Sequence, residues 1–298
     1  PPPPPPPLFE SSAASDVYKR QPRHGRTPAG RRQVPDGRPG GLSQWVREVR
    51  PEGRRPDPRG ARLTVYRLGP TPTFPPPEEA DDDSGLLAVG GDLSPRRVWT
   101  AYLRGIFPWP HEGYPLLWFS PDPRMVLPVD ALHVPRRLAR VLRRGAFRVT
   151  ADTAFDEVVR ACAAAERSDE AGTWITRGMM EAFGKLHRTG RAHSIEVRID
   201  GALAGGIYGL AVGRVFVAES MFTRGADGSK IALVALVRYA ARLGFRLVDA
   251  QVYTDHVARF GFREWPRRRY LDALRDGLRD PLPDGPWSLD TDREPGNL

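Results

Sequence analysis

Two apolar segments in the last third of the sequence carry side chains that could do acid–base chemistry. Residues 216–222 contain Glu219, and residues 247–252, about thirty positions later, contain Asp249 and Gln251. Burying an unpaired carboxylate costs an amount of free energy comparable to the stability of a whole domain. Glu219 and Asp249 are therefore expected either to be paired or to line a polar site. A structural hydrogen-bond network is the alternative that the pattern leaves open.

A sheet must bring these side chains together. Both segments have the composition of strands, and successive side chains of a strand point to opposite faces. The alternation predicts one face with Val215, Val217, Glu219 and Met221, and one face of the other strand with Leu247, Asp249 and Gln251. Between the two segments, an apolar stripe predicts a helix that follows the loop at residues 223–230 and ends at Gly244.

The preceding sequence alternates between predicted strands and helices. Ser94 as N-cap and Pro95 at the first helical position begin a helix that Gly105 ends. Asp200-Gly201 is the two-residue turn that joins antiparallel strands. Further strands are predicted at residues 63–68, 147–150, 192–200 and 205–210, and further helices at 154–165 and 176–189. This order predicts an α/β (α+β) fold with a mixed sheet and helices on its faces, an acyltransferase-like layout.

Aromatic and proline residues concentrate at positions 106–109 and 116–124, which are predicted to be loops. Aromatic loops suit flat ligands, because stacking a base on an aromatic ring is worth roughly 1–3 kcal/mol. A small hydrophobic core with ordinary loops would have a similar composition, so both interpretations stay open.

Residues 134–144 predict a helix with one apolar face and one basic face. The basic face carries Arg136, Arg140, Arg143 and Arg144. Like charges at this spacing destabilise a helix by a few tenths of a kcal/mol per pair. The stripe therefore indicates either a polyanionic partner, with nucleic acid the natural candidate, or a solvated surface.

The charge of the chain is unevenly distributed. The formal net charge is +9, but residues 1–60 hold 12 of the 45 basic and 6 of the 36 acidic residues, together with 14 of the 32 prolines. The rest of the chain carries only +3, so global basicity is a poor guide to function. The single cysteine, Cys162, excludes a disulfide framework and Cys-based zinc sites, and it is predicted to be core.

Composition also sets the expected domains and location. We predict a disordered Pro/Arg-rich segment at 1–61, a small N-terminal domain at 62–122, a catalytic domain at 123–282 and a tail at 283–298. Residues 11–21 look like translated vector or adapter sequence, so the first segment is expected not to be native. No apolar run approaches the roughly 20 residues of a membrane span, and no signal peptide is evident, so a cytoplasmic location is expected.

Seven motifs, in order and spacing, resemble the leucyl/phenylalanyl-tRNA–protein transferase family over about residues 62–280. They are GGDLSP at 90–95, RGIFPW at 104–109, WFSPDPR at 118–124, TWI at 173–175, AHSIE at 192–196, ESMF at 219–222 and DAQ at 249–251. The resemblance implies a small N-terminal domain followed by a domain similar to the GCN5-related N-acetyltransferase fold. It also implies transfer of Leu or Phe, with Met as a further substrate, from leucyl-tRNA or phenylalanyl-tRNA.

The family moves the amino acid onto proteins whose N-terminal residue is Arg or Lys, which creates an N-end-rule degradation signal. The resemblance therefore implies peptide-bond formation by a monomeric enzyme without ATP, CoA, another cofactor or a metal. Gln251, oriented by Asp249, resembles the residue that contacts the attacking amine, and Glu219 resembles the active-site carboxylate. Because glutamine is a poor base, Gln251 and Glu219 are expected to position the amine and the ester.

Other family positions supply the expected binding residues. Tyr102, Trp109 and Trp174 match positions that contact the aminoacyl-adenosine. Ile207, Phe216 and Met221 match the pocket for the Leu or Phe side chain, although Ile207 departs from the Met expected there. Arg136, Arg140, Arg143 and Arg144 match the basic cluster that faces the tRNA.

His187 and His193 could suggest a metal site, but neither has a carboxylate or cysteine at ligand spacing, so polar structural roles are expected. The role of His256, beyond the Gln251 strand, is open. Two other functions remain alternatives: a small-molecule N-acetyltransferase, for which residues 224–228 are an imperfect pyrophosphate loop, and a non-catalytic tRNA-binding module.

Overall fold

The computed structural model describes residues 49–50, 65–110, 115–165 and 173–291. Its first sheet contains β1 (Val49–Arg50), β2 (Val65–Leu68), β3 (Leu86–Gly90), β4 (Phe107–Pro108) and β5 (Leu117–Phe119), in the order β1-β2-β3-β5-β4. The segment predicted to be disordered, 1–61, lies outside the described residues except for β1. β1 pairs in parallel with β2, and the predicted segment 1–61 stays a prediction.

The second sheet has seven strands and holds the candidate site. Its order is β12-β6-β11-β10-β9-β8-β7, and the β10–β11 pair is parallel while the other pairs are antiparallel. The strands are β6 (Arg124–Pro128), β7 (Arg148–Ala151), β8 (Ala192–Ile199), β9 (Ala202–Val212), β10 (Val215–Thr223), β11 (Leu247–Asp249) and β12 (Arg263–Trp265). The predicted mixed sheet is confirmed.

The helices are α1 (Pro95–Tyr102), α2 (Arg136–Arg144), α3 (Phe155–Ala164), α4 (Arg177–Arg188), α5 (Gly228–Leu243), α6 (Asp255–Ala258) and α7 (Arg267–Arg279). The predicted cap of α1 is confirmed, because the Ser94 side chain accepts a hydrogen bond from the Arg97 amide. Gly244 ends α5 in the left-handed conformation at φ 92°. The turn between β8 and β9 also matches its prediction, with positive φ at Asp200 and Gly201.

The helices cover the two faces of the large sheet with separate core clusters. The first cluster joins α1, α3, α4 and α7 to residues of the small sheet, including the buried Trp118. The second cluster joins α5 and the buried Leu138 of α2 to the opposite face. Because the first cluster draws residues from both sheets, the predicted N-terminal and catalytic domains share a core, and the boundary at 122–123 stays a prediction.

Three local predictions about strands are wrong. The predicted loops at 106–109 and 116–124 contain β4 and β5, and β6, which was not predicted, begins at Arg124 and lies between β11 and β12. A β-bulge at Glu219 shifts the register between Ala218 and Ser220. Val217 therefore packs in the first cluster and Met221 against the second, so they do not share a face.

The third error concerns β11, which ends at Asp249 instead of continuing to residue 252. Gln251 follows it with φ 64°, a left-handed conformation that a strand residue does not adopt. Asp249 and Gln251 therefore are not successive residues of one strand face. They are joined by a tight turn instead.

The predicted tail at 283–298 docks along the edge strand β7 as far as Thr291. The Ala151 amide donates to the Leu289 carbonyl at 3.0 Å, and the Thr291 amide donates to the Val149 carbonyl at 3.0 Å. Leu289 is buried in the second cluster. Among the described residues, no helix is both long and apolar enough to cross a membrane.

Candidate active site

The site is built around Glu219, the residue that the bulge in β10 inserts between two paired positions. A bulge re-aims a side chain relative to the regular pleat, and Glu219 is only 9% exposed. Its Oε1 accepts a hydrogen bond from Gln251 Nε2 at 2.8 Å. Glu219 lies in β10, and Gln251 follows the end of the neighbouring parallel strand β11, so the predicted meeting of Glu219 and Gln251 occurs, although through a bulge and a turn.

Asp249 holds Gln251 in its left-handed conformation. The Gln251 amide donates to Asp249 Oδ1 at 2.7 Å, which closes an Asx turn. The Gln251 carbonyl accepts from the Met125 amide at 3.2 Å. A non-glycine residue at positive φ costs of order 1–3 kcal/mol and persists only where its surroundings enforce it. These main-chain bonds fix the position of Gln251, so that its side-chain amide lies beside Glu219.

Arg124, at the start of β6, completes the network. Its Nε and Nη2 atoms donate to the Asp249 carboxylate at 2.9, 3.1 and 2.7 Å, and Nη1 donates to the Gly105 carbonyl at 3.3 Å. The guanidinium lies 4.9 Å from the Phe107 ring centroid and 4.6 Å from that of Tyr270. Both charged side chains are buried. Their paired hydrogen bonds offset the free-energy cost of removing the two charges from water.

The environment of the network changes the pKa of several of its groups. The pKa of Glu219 is raised to about 8, chiefly by burial and also by the neighbouring Asp249 carboxylate, while Tyr102, Arg124 and Gln251 act in the opposite direction. Burial alone would lower the pKa of Arg124, but the Asp249 carboxylate outweighs it and the pKa lies above its usual range. Burial and the proximity of Glu219 hold the pKa of Tyr102 well above its ordinary value.

Two buried hydroxyl groups complete the polar lining. Tyr102, from α1, lies next to Glu219, and Tyr270, from α7, lies next to Asp249. Neither hydroxyl makes a well-formed hydrogen bond within the part of the chain that the structure describes. Buried polar groups are normally paired with protein, water or ligand. The carboxylate groups of Glu219 and Asp249 are their nearest polar neighbours.

The predicted aromatic residues lie on the same side of the sheet as Tyr102. Trp109 and Trp174 are half-buried and pack against the first core cluster, which contains Tyr102. The Trp109 ring lies 5.8 Å from that of Phe119 in an edge-to-face arrangement. The three predicted aminoacyl-adenosine residues thus border one cluster, on the side from which Tyr102 approaches Glu219.

The three predicted pocket residues are only partly brought together. Ile207 and Met221 face each other as a cross-strand pair of β9 and β10. Phe216 belongs to the same core cluster but lies five positions earlier on β10, roughly 16 Å along a strand. There its ring packs 5.3 Å from Trp287 and 6.2 Å from Phe245.

Comparison with known proteins decides the family. Residues 91–122 match the model of the leucyl/phenylalanyl-tRNA protein transferase N-terminal domain, and residues 126–275 match that of leucyl/phenylalanyl-tRNA protein transferase. A leucyl/phenylalanyl-tRNA–protein transferase of Anaeromyxobacter sp. (strain Fw109-5) is 52% identical over 78% of this chain and 99% of its own length. The chain belongs to the leucyl/phenylalanyl-tRNA–protein transferase family. The predicted family and the predicted class, an aminoacyltransferase, are confirmed.

Transferases of the same name from Myxococcus xanthus and Chromobacterium violaceum are 51% and 49% identical, over 72% and 74% of this chain and 92% and 94% of theirs. Solved structures are more distant. A GCN5-related N-acetyltransferase from Kribbella flavida has 15% identity and a TM-score of 0.29, with coverage of 56% of this chain and 59% of that one. The L-PGS of Bacillus licheniformis has 11% identity and a TM-score of 0.33, with 64% of each chain covered.

In this member of the transferase family, the predicted basic stripe forms a free face of α2. Arg136, Arg140, Arg143 and Arg144 are exposed, as is Arg137, which was not predicted as part of the stripe. Within the described residues none of the five makes an ion pair. The opposite face of α2 packs Leu138 into the second cluster, so the helix is held on the body of the protein while its arginines face outward.

The histidines have structural partners in the family fold. His187 Nδ1 lies 2.8 Å from the Ala192 carbonyl oxygen, and the ring stacks on Phe155. His193 lies between Asp152 Oδ2 at 2.8 Å and the Gly190 carbonyl at 3.1 Å, with its ring stacked on Trp287. His256 is mostly buried on α6; burial, with Lys230 and Arg259, lowers its pKa to about 4. The described residues contain no cluster of three side chains that could bind a metal ion.

Arg124 and Tyr270 were not predicted as site residues. In the sequence, Arg124 is the last residue of the family motif at 118–124 and directly precedes the apolar residues 125–127. A cation at the start of an apolar strand needs a buried anion, and Asp249 was the evident candidate. No comparable signal marks Tyr270, whose ring reaches Arg124 from a helix far along the chain.

Proposed function

We propose that this chain transfers leucine or phenylalanine, and also methionine, from aminoacyl-tRNA to the α-amine of proteins with N-terminal Arg or Lys, in the cytoplasm and as a monomer. The product would be a degradation signal. The observation that carries this proposal is the hydrogen-bonded chain from Asp249 through Gln251 to Glu219. It occurs in a protein that aligns with 99% of the length of a transferase of this family.

The reaction needs no covalent enzyme intermediate. The amine nitrogen attacks the ester carbonyl carbon, a C–N bond forms, and the C–O bond to the terminal ribose breaks. The ribose oxygen takes up a proton, and the proton in excess from the original ammonium is released to solvent. Because the ester is already activated, orientation can supply up to roughly 7–11 kcal/mol of barrier reduction.

We assign positioning roles to the polar chain. The side-chain oxygen of Gln251 is free to accept from the attacking amine, since its Nε2 is committed to Glu219. Asp249 orients Gln251 through the main-chain amide. Glu219 would hold the amine and the ester in register, and the terminal hydroxyl of the tRNA would help to shuttle the proton. Tyr102 would contribute a hydroxyl beside Glu219.

The remaining contacts would select the substrate. Tyr102, Trp109 and Trp174 would hold the aminoacyl-adenosine, with stacking worth roughly 1–3 kcal/mol per base. Ile207 and Met221 would border the amino-acid side chain, whereas Phe216 would support them from the core, where it packs on Trp287 and Phe245. An apolar pocket separates such side chains by only about 1–3 kcal/mol per methylene, so some promiscuity between Leu, Phe and Met is expected. The exposed arginines of α2 would contact tRNA phosphates.

A direct assay tests the proposal. The full chain is incubated with Leu-tRNA or Phe-tRNA and a peptide that begins with Arg, and the product is analysed by mass spectrometry. We expect the peptide to gain one Leu or Phe residue, and a matched peptide that begins with Glu to gain none. Gln251→Ala should reduce the rate at least tenfold. No gain by the Arg peptide, with intact aminoacyl-tRNA and folded protein, would contradict the proposal.

The N-terminus of α5 argues against the N-acetyltransferase alternative. A pyrophosphate needs free amides at a helix N-terminus, but here the Gly228 amide donates to the Gly225 carbonyl and the Ser229 amide donates to Thr223 Oγ1. Asp227 also places a carboxylate there. Saturable acetyl-CoA binding would revive that alternative, and tRNA binding without turnover would support a non-catalytic module.

A further inference from the structure

The buried network contains two carboxylates and one cation. Asp249 is fully buried and Glu219 nearly so, and both bind Gln251, one through its main-chain amide and the other through its side chain. Arg124 is the basic residue that pairs with a carboxylate here, and its partner is Asp249. Within the described part of the chain, Glu219 makes no ion pair. The site can therefore neutralise one carboxylate by pairing but not both.

The geometry of Arg124 commits it to Asp249. The guanidinium makes three hydrogen bonds to that carboxylate between 2.7 and 3.1 Å. The rings of Phe107 and Tyr270, each within 5 Å, and the Gly105 carbonyl hold its plane. A planar fork held in this way cannot turn to a second carboxylate without breaking these hydrogen bonds. Arg124 therefore stays with Asp249.

Glu219 has neutral partners in place of a cation. Gln251 donates one hydrogen bond to it, and Tyr102 faces it from α1. The charged groups near it are Asp249 from β11, which disfavours a second negative charge, and Arg124 from β6, whose charge Asp249 already offsets. A buried carboxyl group in this position is more stable with its proton, because an unpaired charge in a low-dielectric interior is costly.

We propose that Arg124 is a positioning residue that fixes the negative charge of the site on Asp249 and so leaves Glu219 as the carboxyl group that exchanges a proton with the acceptor's α-amine. Proton exchange by Glu219 rests on the proposed function, whereas the assignment of the negative charge to Asp249 does not. Asp249, paired with Arg124, then serves to hold Gln251, whereas Glu219 changes its protonation in the pH range in which an amine becomes nucleophilic.

The pKa values of the acceptor's α-amine and of Glu219 support proton exchange between them. An α-amine has an ordinary pKa of about 7.7–8.0, and burial raises the pKa of Glu219 to about 8. Proton exchange between groups of matched pKa costs little free energy in either direction. The ionised form of Glu219 can take a proton from the bound ammonium, and the protonated form can return it to the departing ribose oxygen.

The charge assignment can be measured without tRNA or acceptor. Protein labelled with ¹³C at the glutamate carboxyl groups is titrated by NMR, and the Glu219 resonance is identified by its disappearance in Glu219→Gln. We expect a midpoint near pH 8 in the unmodified protein. In the isosteric Asp249→Asn variant, Arg124 has no anionic partner and favours ionised Glu219, so the midpoint should fall by at least about one pH unit, a tenfold change in proton affinity.

Matched variants separate this effect from a structural one. Asp276→Asn removes the carboxylate of an exposed ion pair with Arg279 and should leave the Glu219 midpoint unchanged. Arg124→Met should raise the midpoint, and Arg124→Lys should bring it back toward the original value. A Glu219 midpoint near 4.5, its ordinary pKa, or an unmoved midpoint in Asp249→Asn, would overturn the charge assignment even if the Arg124→Met protein fails to fold.

The role in proton exchange has its own readout. The pH profile of kcat/KM for an Arg-initiated peptide should follow the Glu219 midpoint and shift in the acid direction in Asp249→Asn. A profile that stays in place while the NMR midpoint moves would overturn proton exchange by Glu219. Absence of transfer in every protein would instead contradict the proposed function, and the NMR titration would still decide the charge assignment.

Discussion

At the scale of single residues, Glu219 makes the stability of the protein depend on pH. Its folded-state pKa of about 8 lies above the ordinary value of 4.5. A raised carboxyl pKa means that the stabilising contribution is complete below about pH 4.5 and is lost as the pH rises to about 8. Glu219→Gln removes this titration, so the variant should match the original protein near pH 5 and exceed its free energy of unfolding by on the order of a few kcal/mol at pH 9.

Denaturant unfolding at pH 5, 7 and 9 measures the effect. Glu264→Gln, the same substitution at an exposed position, is the control and should give a difference independent of pH. If Glu219→Gln were no more stable at pH 9 than at pH 5, relative to the original protein, Glu219 would not be buried in its protonated form.

Gln251 combines a proposed positioning role with a strained backbone. Its φ of 64° suits glycine and strains a residue with a Cβ atom. Gln251→Gly and Gln251→Ala both remove the amide that binds Glu219, and they differ only in the Cβ. We expect the glycine variant to be more stable than the alanine variant by about 1 kcal/mol, as measured by thermal unfolding, with both below a tenth of the original transfer rate. Equal stability would indicate a different backbone at this position.

At the scale of elements, α2 should determine how binding depends on salt. Replacing Arg136, Arg140, Arg143 and Arg144 with Gln should weaken tRNA binding and flatten the plot of log affinity against log salt by roughly 0.7–0.9 for each phosphate that is no longer neutralised. The control is the pair Arg275→Gln and Arg279→Gln on α7, whose charges are offset by Asp272 and Asp276. A slope that changes as much in the control as in the α2 variant would exclude α2 as the tRNA-binding helix.

The same scale explains what could be predicted from sequence. Helices α1 to α5 were predictable because apolar periodicity and caps such as Ser94 and Gly244 are local signals, whereas α6 and α7 were not predicted. The β6 strand was not, since its five residues lack alternation and are buried between β11 and β12. The bulge at Glu219 leaves no mark in the sequence. Glu219, Asp249 and Gln251 could be found as polar residues in apolar segments, whereas the ion pair between Asp249 and Arg124 spans 125 positions and depends on the complete sheet.

At the scale of the whole molecule, the site depends on contacts between the two sheets. Arg124, in the large sheet, reaches the Gly105 carbonyl near the small one. Arg267 of α7 donates to the carbonyl groups of Ala80 and Ser120 at 3.0 and 2.8 Å. These bonds tie α7, which carries Tyr270, to the small sheet. The residues that surround Arg124, the partner of Asp249, therefore come from both parts of the molecule: Gly105 and Phe107 from the small-sheet part and Tyr270 from α7.

The segment after α7 covers the β7 edge of the large sheet and should stabilise the whole molecule. Asp290 forms a two-point ion pair with Arg148, and the Trp287 amide donates to Asp152 Oδ2, the oxygen that also binds His193. A chain ending at Leu282 would lack these bonds and expose β7 together with the ring of Phe216. Its free energy of unfolding should fall by about 3 kcal/mol or more.

A chain ending at Thr291 keeps the hydrogen bonds and ion pair of this segment and is the matched control. Thermal unfolding of the two truncated proteins, followed by circular dichroism, should show a lower Tm for the shorter one alone. Since β7 and β8 lie at the end of the sheet away from Asp249, the shorter protein should retain transfer activity at temperatures well below its Tm. Equal Tm values would mean that the segment lies on the edge of β7 without stabilising it, and the stack of His193 on Trp287 would then contribute nothing measurable to the fold.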